Sequence, residues 1–239
     1  MGPAVREGWD RRGARSRLDR RRTVKEAVKR RAIQEHPAPF TDEDLRFRQL
    51  VARHKPAIKA AVMFAIDVSG SMGETERQLA KSFFFFALQG IRRQYAKVET
   101  AFLAHAAEAW EFNEAEFFQT SGTGGTVASS VFELAQELVN TRFDPAHYNV
   151  YLFYASDGDN FSDDRSKASA ALHELAQSLN YTGYVEIRPA YGISPDTELT
   201  TICSALQREQ LALGIARVTS REDVFNALRQ FFQQQAEAA

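Results

Sequence analysis

The segment Ala60–Met72, AAVMFAIDVSGSM, decides the reading of this chain: seven apolar residues run without a break into Asp67, and Ser69 and Ser71 follow at alternate positions. A short continuous apolar run closed by polar turn residues is the pattern of a strand buried on both faces. Here it delivers three oxygen-bearing side chains to one turn.

Two later segments carry the same chemistry. TGGT spans Thr123–Thr126, and YNVYLFYASDGDN spans Tyr148–Asn160, placing Asp157 just past a second apolar run. Three loops thus supply hydroxyls and carboxylates to one prospective site for a hard cation. Mg²⁺ and Mn²⁺ favour oxygen ligands in octahedral geometry.

From Lys59 onward, strand-like and helix-like segments alternate. The strand segments are Ala61–Ile66, Val98–His105, Ala107–Phe112, Asn149–Ala155, Tyr184–Pro189 and Leu211–Val218. The helical ones are Glu74–Gln94, Val127–Thr141, Asp163–Asn180, Asp196–Arg208 and Arg221–Gln234. Such alternation predicts an α/β fold with a mostly parallel sheet and helices on both faces. The second and third strands are close enough in sequence to form a hairpin, which gives one antiparallel edge. In open α/β sheets, ligands bind beyond the carboxyl ends of the strands where strand order reverses, and Asp67, Thr126 and Asp157 can meet there. Ser82–Leu88, SFFFFAL, places four phenylalanines around most of the first helix. That pattern predicts either a central helix buried on all sides and roofed by Thr41–His54, or a partner-binding patch.

The 239 residues, 44% of them hydrophobic, suffice for one large domain with an appendage, read as 1–56 and 57–239. The net charge of −1 hides an asymmetry: residues 1–31 hold twelve Lys or Arg against four Asp or Glu, so an acidic domain follows a basic arm. Met1–Arg22 lacks apolar periodicity and reads as mobile in isolation. Thr23–Ile33 reads as a short helix ended by His36–Phe40, HPAPF, and Thr41–His54 as a second helix capped by Thr41 with Asp44 three residues on. No apolar run approaches the ~20 residues that span a bilayer, and no signal-peptide core follows the arginines, so a cytoplasmic location is expected. Cys203 is the single cysteine, which excludes an internal disulfide and a Cys-based zinc cluster.

The order Asp-x-Ser-x-Ser, then Thr, then Asp resembles the metal-ion-dependent adhesion site of von Willebrand factor A domains, with the match on Asp67, Ser69, Ser71, Thr126 and Asp157. AVMFAIDVSGSM, TGGTVASS with Glu116, Phe117 and Phe118 before it, ASDGDNFSDD, RRTVKEAVKRRA and DLRF at Asp44–Phe47 together resemble the YeaH/YhbH family of bacterial proteins. Members of that family carry a longer glycine-rich region between the basic start and the A-like domain, which this sequence lacks. The resemblance implies a von Willebrand factor A-like fold, Mg²⁺ or Mn²⁺ held by those five residues, and an open metal position that takes a carboxylate from a partner protein. It also implies a setting beside a PrkA-like serine kinase and a SpoVR-like protein in sporulation, starvation or stress responses. Thr123 is the alternative to Thr126, and Asp159, Asp163 and Asp164 read as outer ligand support or as a solvated acidic loop.

Enzyme readings fit less well. A phosphotransferase of the haloacid dehalogenase type wants a second aspartate where Ser69 stands, and neither Ser69 nor Ser71 has the flanking glycines of a hydrolase elbow. His105 follows a strand and is the best histidine for acid–base work, though a polar residue at a strand end is the commoner explanation. A metal-dependent phosphatase or hydrolase remains the competing class. The basic arm admits nucleic-acid binding, but it has no recognisable nucleic-acid fold and only Trp9 as an aromatic. Docking to an acidic partner, or to the chain's own acidic domain, is the preferred reading.

Overall fold

A computed structural model describes residues 5–11, 18–34, 38–51, 59–113, 116, 124–188 and 196–238. The chain divides into two compact units, Met1–Pro56 and Ala57–Ala239.

In the first unit, strand β1 (Val5–Asp10) pairs antiparallel with β2 (Phe47–Val51), and helix α1 (Arg20–Arg31) lies between them in sequence. Helix α1, expected from Thr23, starts at Arg20 because Asp19 caps it, accepting the Arg22 N–H at 3.1 Å and the Trp9 indole N–H at 3.2 Å. Thr41 does form a capping box with Asp44, but over a single 3-10 turn, Asp42–Asp44; the chain then turns extended at Leu45 and enters β2. Pairing with β1 overrides the local helical signal. Residues 52–54 of that expected helix lie outside the described set. Arg30 grips the buried Asp44 through two nitrogens, at 3.0 and 2.9 Å, and holds its carboxyl down at about 2.

The second unit is built on a six-stranded sheet ordered β5-β4-β3-β6-β7-β8, with β3 (Lys59–Asp67), β4 (Lys97–His105), β5 (Ala109–Phe112), β6 (Tyr148–Ser156), β7 (Tyr181–Ile187) and β8 (Leu213–Val218). All pairs are parallel except β4–β5, which forms the expected antiparallel edge. Helices α2 (Glu74–Gln94), α3 (Ala128–Thr141), α4 (Arg165–Ser178), α5 (Glu198–Arg208) and α6 (Arg221–Ala238) cover it. The Ala60–Ile66 run earns its apolar character, since no residue in it exceeds 1% exposure. Successive residues serve opposite faces: Ala60, Val62, Phe64 and Ile66 pack toward α2 and α6, while Ala61, Met63 and Ala65 pack toward α3, α4 and α5. Burying Phe64 contributes about 2–3 kcal/mol.

The SFFFFAL helix is not buried on all sides. Phe83 and Phe84 are sealed in the core, whereas Phe85 and Phe86 are 57% and 38% exposed. Four consecutive helical residues sweep about 300°, more than one sheet face can cover, so two must point away. The segment expected to roof them is not helical.

Strand order also places the site. From β3 the chain crosses to β4 on one side, then returns across β3 to β6 on the other. The carboxyl ends of β3 and β6 therefore flank the point where strand order reverses.

Candidate metal centre

Asp67 is the last residue of β3, and Asp157 follows the last residue of β6. Register sets a polar row across the carboxyl edge of the sheet. His105 lies opposite Asp67, Ser156 falls one step past the Ile66–Ala155 pair, and Glu186 opposite Ser156 is in turn opposite Arg217. By strand alternation, this row faces α3, α4 and α5.

Asp67 is fully buried. Its Oδ1 accepts the Ser69 N–H at 2.8 Å and its Oδ2 accepts the Ser156 hydroxyl at 2.9 Å, which orients the carboxylate from the turn after β3 and from β6. The Ser69 and Ser71 hydroxyl oxygens stand 3.2 Å apart. Asp157 joins them: burial pushes its carboxyl above the ordinary range, a hydrogen bond from Ser71 and the Asp159 N–H pull it down, and the charges of Asp67 and Asp159 add to the rise. The strongest charges acting on Asp157 are carboxylates, with no cation among them.

Thr126 is buried and sits in the loop before α3. Its carbonyl accepts the Phe161 N–H at 3.1 Å, the Val127 N–H reaches the Ala106 carbonyl at 2.9 Å, and the Ala128 N–H reaches Asn160 Oδ1 at 2.9 Å. The Thr126 main chain is thereby tied to the loops after β4 and β6. Among the described residues no hydrogen bond joins its hydroxyl to Asp67, Ser69, Ser71 or Asp157. Hydrogen bonds thus link Asp67, Ser69, Ser71 and Asp157 in a row, while Thr126 is tied by its backbone to a neighbouring loop; Thr123 lies outside the described residues.

Several supporting residues escaped the sequence reading. Ser156 donates to Asp67 and accepts the Gly158 N–H at 3.1 Å, so it couples the two acidic loops. Gly158 has φ +97°, and its carbonyl accepts the Leu199 N–H at 3.2 Å, pinning the Asp157 loop to the start of α5. Asp164 is not part of a solvated acidic loop: it is buried and braces Ser129 at the start of α3 through the N–H at 2.9 Å and the hydroxyl at 2.5 Å. Glu186 is buried as well. Burial pushes its carboxyl up, but hydrogen bonds from Thr197, Arg217 and Thr200 outweigh that and hold it below the ordinary range. His105 is sealed in the interior, with Nε2 2.9 Å from the Tyr154 hydroxyl, and burial drives its pKa down despite the opposing charge of Asp67. A neutral imidazole with no solvent access is a packing group. Cys203 is a buried core residue whose thiol burial pushes up.

The donor set suits a hard divalent cation. It is all oxygen, it joins hydroxyls to two carboxylates, and those carboxylates repel one another without a cation. Among the described residues no cluster of three or more His, Cys, Asp or Glu side chains is disposed to hold a metal, so a softer, nitrogen- or sulfur-rich site does not compete.

The fold is von Willebrand factor A-like. Solved structures share the fold: BatB from Bacteroides thetaiotaomicron (TM-score 0.52, 14% identical, covering 74% of this chain and 99% of that one) and the PilB minor pilin from Streptococcus sanguinis (TM-score 0.56, 9% identical, covering 82% and 66%). The chain belongs to DUF444, a family described as proteins of unknown function, matched over residues 32–235. A UPF0229 protein from Halalkalibacterium halodurans is 36% identical over 228 residues, covering 95% of this chain and 58% of that protein. One from Clostridium perfringens is 35% identical over 240 residues, covering 95% and 60%. The chain therefore spans less than two thirds of the length of these relatives. Among the described residues no helix is long and apolar enough to cross a membrane.

Proposed function

We propose that this chain is a non-enzymatic, metal-dependent protein-binding module of the YeaH/YhbH type, working in the bacterial cytoplasm. Asp67, Ser69, Ser71, Thr126 and Asp157 hold Mg²⁺ or Mn²⁺, and the partner contributes an acidic residue. The observation that carries this reading is the convergence of Asp67, Ser69, Ser71 and Asp157 at the strand-order reversal, with the Asp67 charge acting on Asp157.

When bound, the cation supplies a Lewis-acid contact for a carboxylate. The chain's own residues do the rest. Ser156 and the Ser69 N–H fix the Asp67 carboxylate, so no rotamer search is needed on binding. The neutral serine hydroxyls leave positive charge on the metal for the partner to neutralise. The Asp164–Ser129 and Gly158–Leu199 links hold the surrounding loops, which limits reorganisation when a partner docks.

The family resemblance proposes a PrkA-like serine kinase and a SpoVR-like protein as partners in a stress or sporulation pathway. The test is co-purification of those two proteins with the wild-type chain and with Asp67→Asn, each with and without chelator. The proposal expects that chelation and the substitution release the same partner. Equal retention in all four arms would refute the metal bridge.

A further inference from the structure

On the face of the sheet away from the metal centre, α2 and α6 expose three phenylalanines in mutual contact. Phe85 and Phe86 have ring centroids 5.3 Å apart, and Phe86 and Phe225 4.9 Å; Phe225 is 54% exposed. Single exposed aromatics are ordinary, but three in a row form an apolar patch that water solvates poorly.

Charge on α6 indicates what covers it. Glu222 and Arg229 are exposed, seven residues apart, and lie on the same arc of the helix as Phe225 and Asn226, opposite the buried Val224, Ala227, Leu228 and Phe231. At 1.5 Å per residue they stand about 10 Å apart along the axis, beyond the i,i+4 spacing at which one helix pairs its own charges. Their midpoint falls between Phe225 and Asn226. A two-fold axis through that midpoint, relating two antiparallel copies of α6, sets Glu222 of each copy against Arg229 of the other and brings the two Phe225 rings together. Such self-complementarity, residue i meeting j and j meeting i, is the condition for a closed dimer. On α2, Ser82 and Gln89 beside the phenylalanines are uncharged, Lys81 one turn before Phe85 is buried, and the exposed Arg92 and Arg93 lie two turns beyond the patch.

We infer that the α2–α6 face is a self-association surface, on which a second copy of this chain packs α6 against α6 in antiparallel fashion, with Phe225 at the centre and reciprocal Glu222–Arg229 pairs at its flanks. The surface is separate from the metal centre and stands independently of the function proposed above.

Sedimentation equilibrium of the full 239-residue chain tests it, in low salt and with chelator present. The wild type should show a reversible monomer–dimer equilibrium. Glu222→Arg and Arg229→Glu each place like charges against one another twice in a homodimer, and should each weaken dimerisation about tenfold or more. An equimolar mixture of the two variants restores both pairs and should recover a heterodimer; so should the double variant as a homodimer. Phe225→Ser should abolish dimerisation in every background, with far-ultraviolet circular dichroism confirming that each variant is folded. A wild type that stays monomeric at the highest concentrations overturns the inference and leaves the patch to a different partner. A dimer indifferent to both single charge reversals, or a mixture no tighter than its components, overturns it equally.

Discussion

Ser156→Ala isolates the residue that couples the two halves of the metal centre. The serine is fully buried, its hydroxyl donates to Asp67 Oδ2 at 2.9 Å, and its oxygen accepts the Gly158 N–H at 3.1 Å. Alanine leaves a buried main-chain N–H without an acceptor and removes one of two donors to a buried carboxylate. A hydrogen bond to a charged group contributes about 1.5–3 kcal/mol and a neutral one about 0.5–1.5 kcal/mol, so the loss should total about 2–4 kcal/mol. For a domain of this size each kcal/mol lowers the melting temperature by roughly 2–4 °C, which predicts a fall on the order of 10 °C in thermal denaturation with chelator present. The same change frees the Asp67 carboxylate to rotate, and losing an outer hydrogen bond of this kind lowers metal affinity about 10- to 100-fold. Ser162→Ala, on the exposed side of the same loop, is the control and should change stability by less than about 0.5 kcal/mol. If Ser156→Ala melts within about 2 °C of the wild type and binds Mn²⁺ equally well, the claim that this hydroxyl organises the site is wrong.

Other substitutions probe the same frame. Gly158→Ala forces a side chain onto a residue with φ +97° and sets its Cβ 2.3 Å from Thr197 Oγ1, so urea denaturation should show a loss of about 2 kcal/mol or more, whereas Gly70→Ala, whose Cβ meets nothing within 4 Å, should be near neutral. Because burial raises the Asp157 carboxyl, the folded protein holds that proton more tightly than the unfolded chain does. Metal-free protein should therefore lose stability as pH rises from the ordinary aspartate range through the raised value, while metal affinity climbs over the same window; Asp157→Asn should flatten the first trend in paired melting curves. In the first unit the sign is opposite. Asp44, held at about 2 by Arg30, stabilises above the ordinary value of 3.8 and loses that contribution as pH falls toward 2, so α1 amide protection should collapse in that interval in the wild type and much less in Asp44→Asn.

The sheet was legible because its strands are buried on both faces and read as unbroken apolar runs. The strands expected over Ala61–Ile66 and Asn149–Ala155 emerge as Lys59–Asp67 and Tyr148–Ser156, and the short interval between the strands expected to end at His105 and start at Ala107 announces the antiparallel edge. Short segments without such runs were not legible. Phe47–Val51 is five residues long, and what makes it a strand is pairing with Val5–Asp10, some forty residues earlier in the chain. The acidic turns were visible as chemistry, but their supports were not. Ser156 looked like the start of a turn until the parallel register set it beside Asp67, 89 residues away. Asp164 read as outer ligand support or as part of a solvated loop because its partner Ser129 is 35 residues distant, and Glu186 drew no reading because its partners come from α5 and β8. Of the two readings of the four phenylalanines, the fully buried helix fails for a geometric reason: composition shows that a helix is apolar all round, but not that only one of its sides has a sheet to cover.

The central claim, a divalent cation held at the carboxyl ends of β3 and β6, is tested most directly by calorimetric titration of Mg²⁺ and Mn²⁺ into metal-stripped protein, with Asp67→Asn alongside. The substitution keeps the shape of the side chain and an acceptor for the Ser69 N–H while removing the charge. Saturable binding at one site per chain is expected in the wild type, with its loss in a variant that remains folded. Binding of equal strength in both proteins, or none in either, would contradict it.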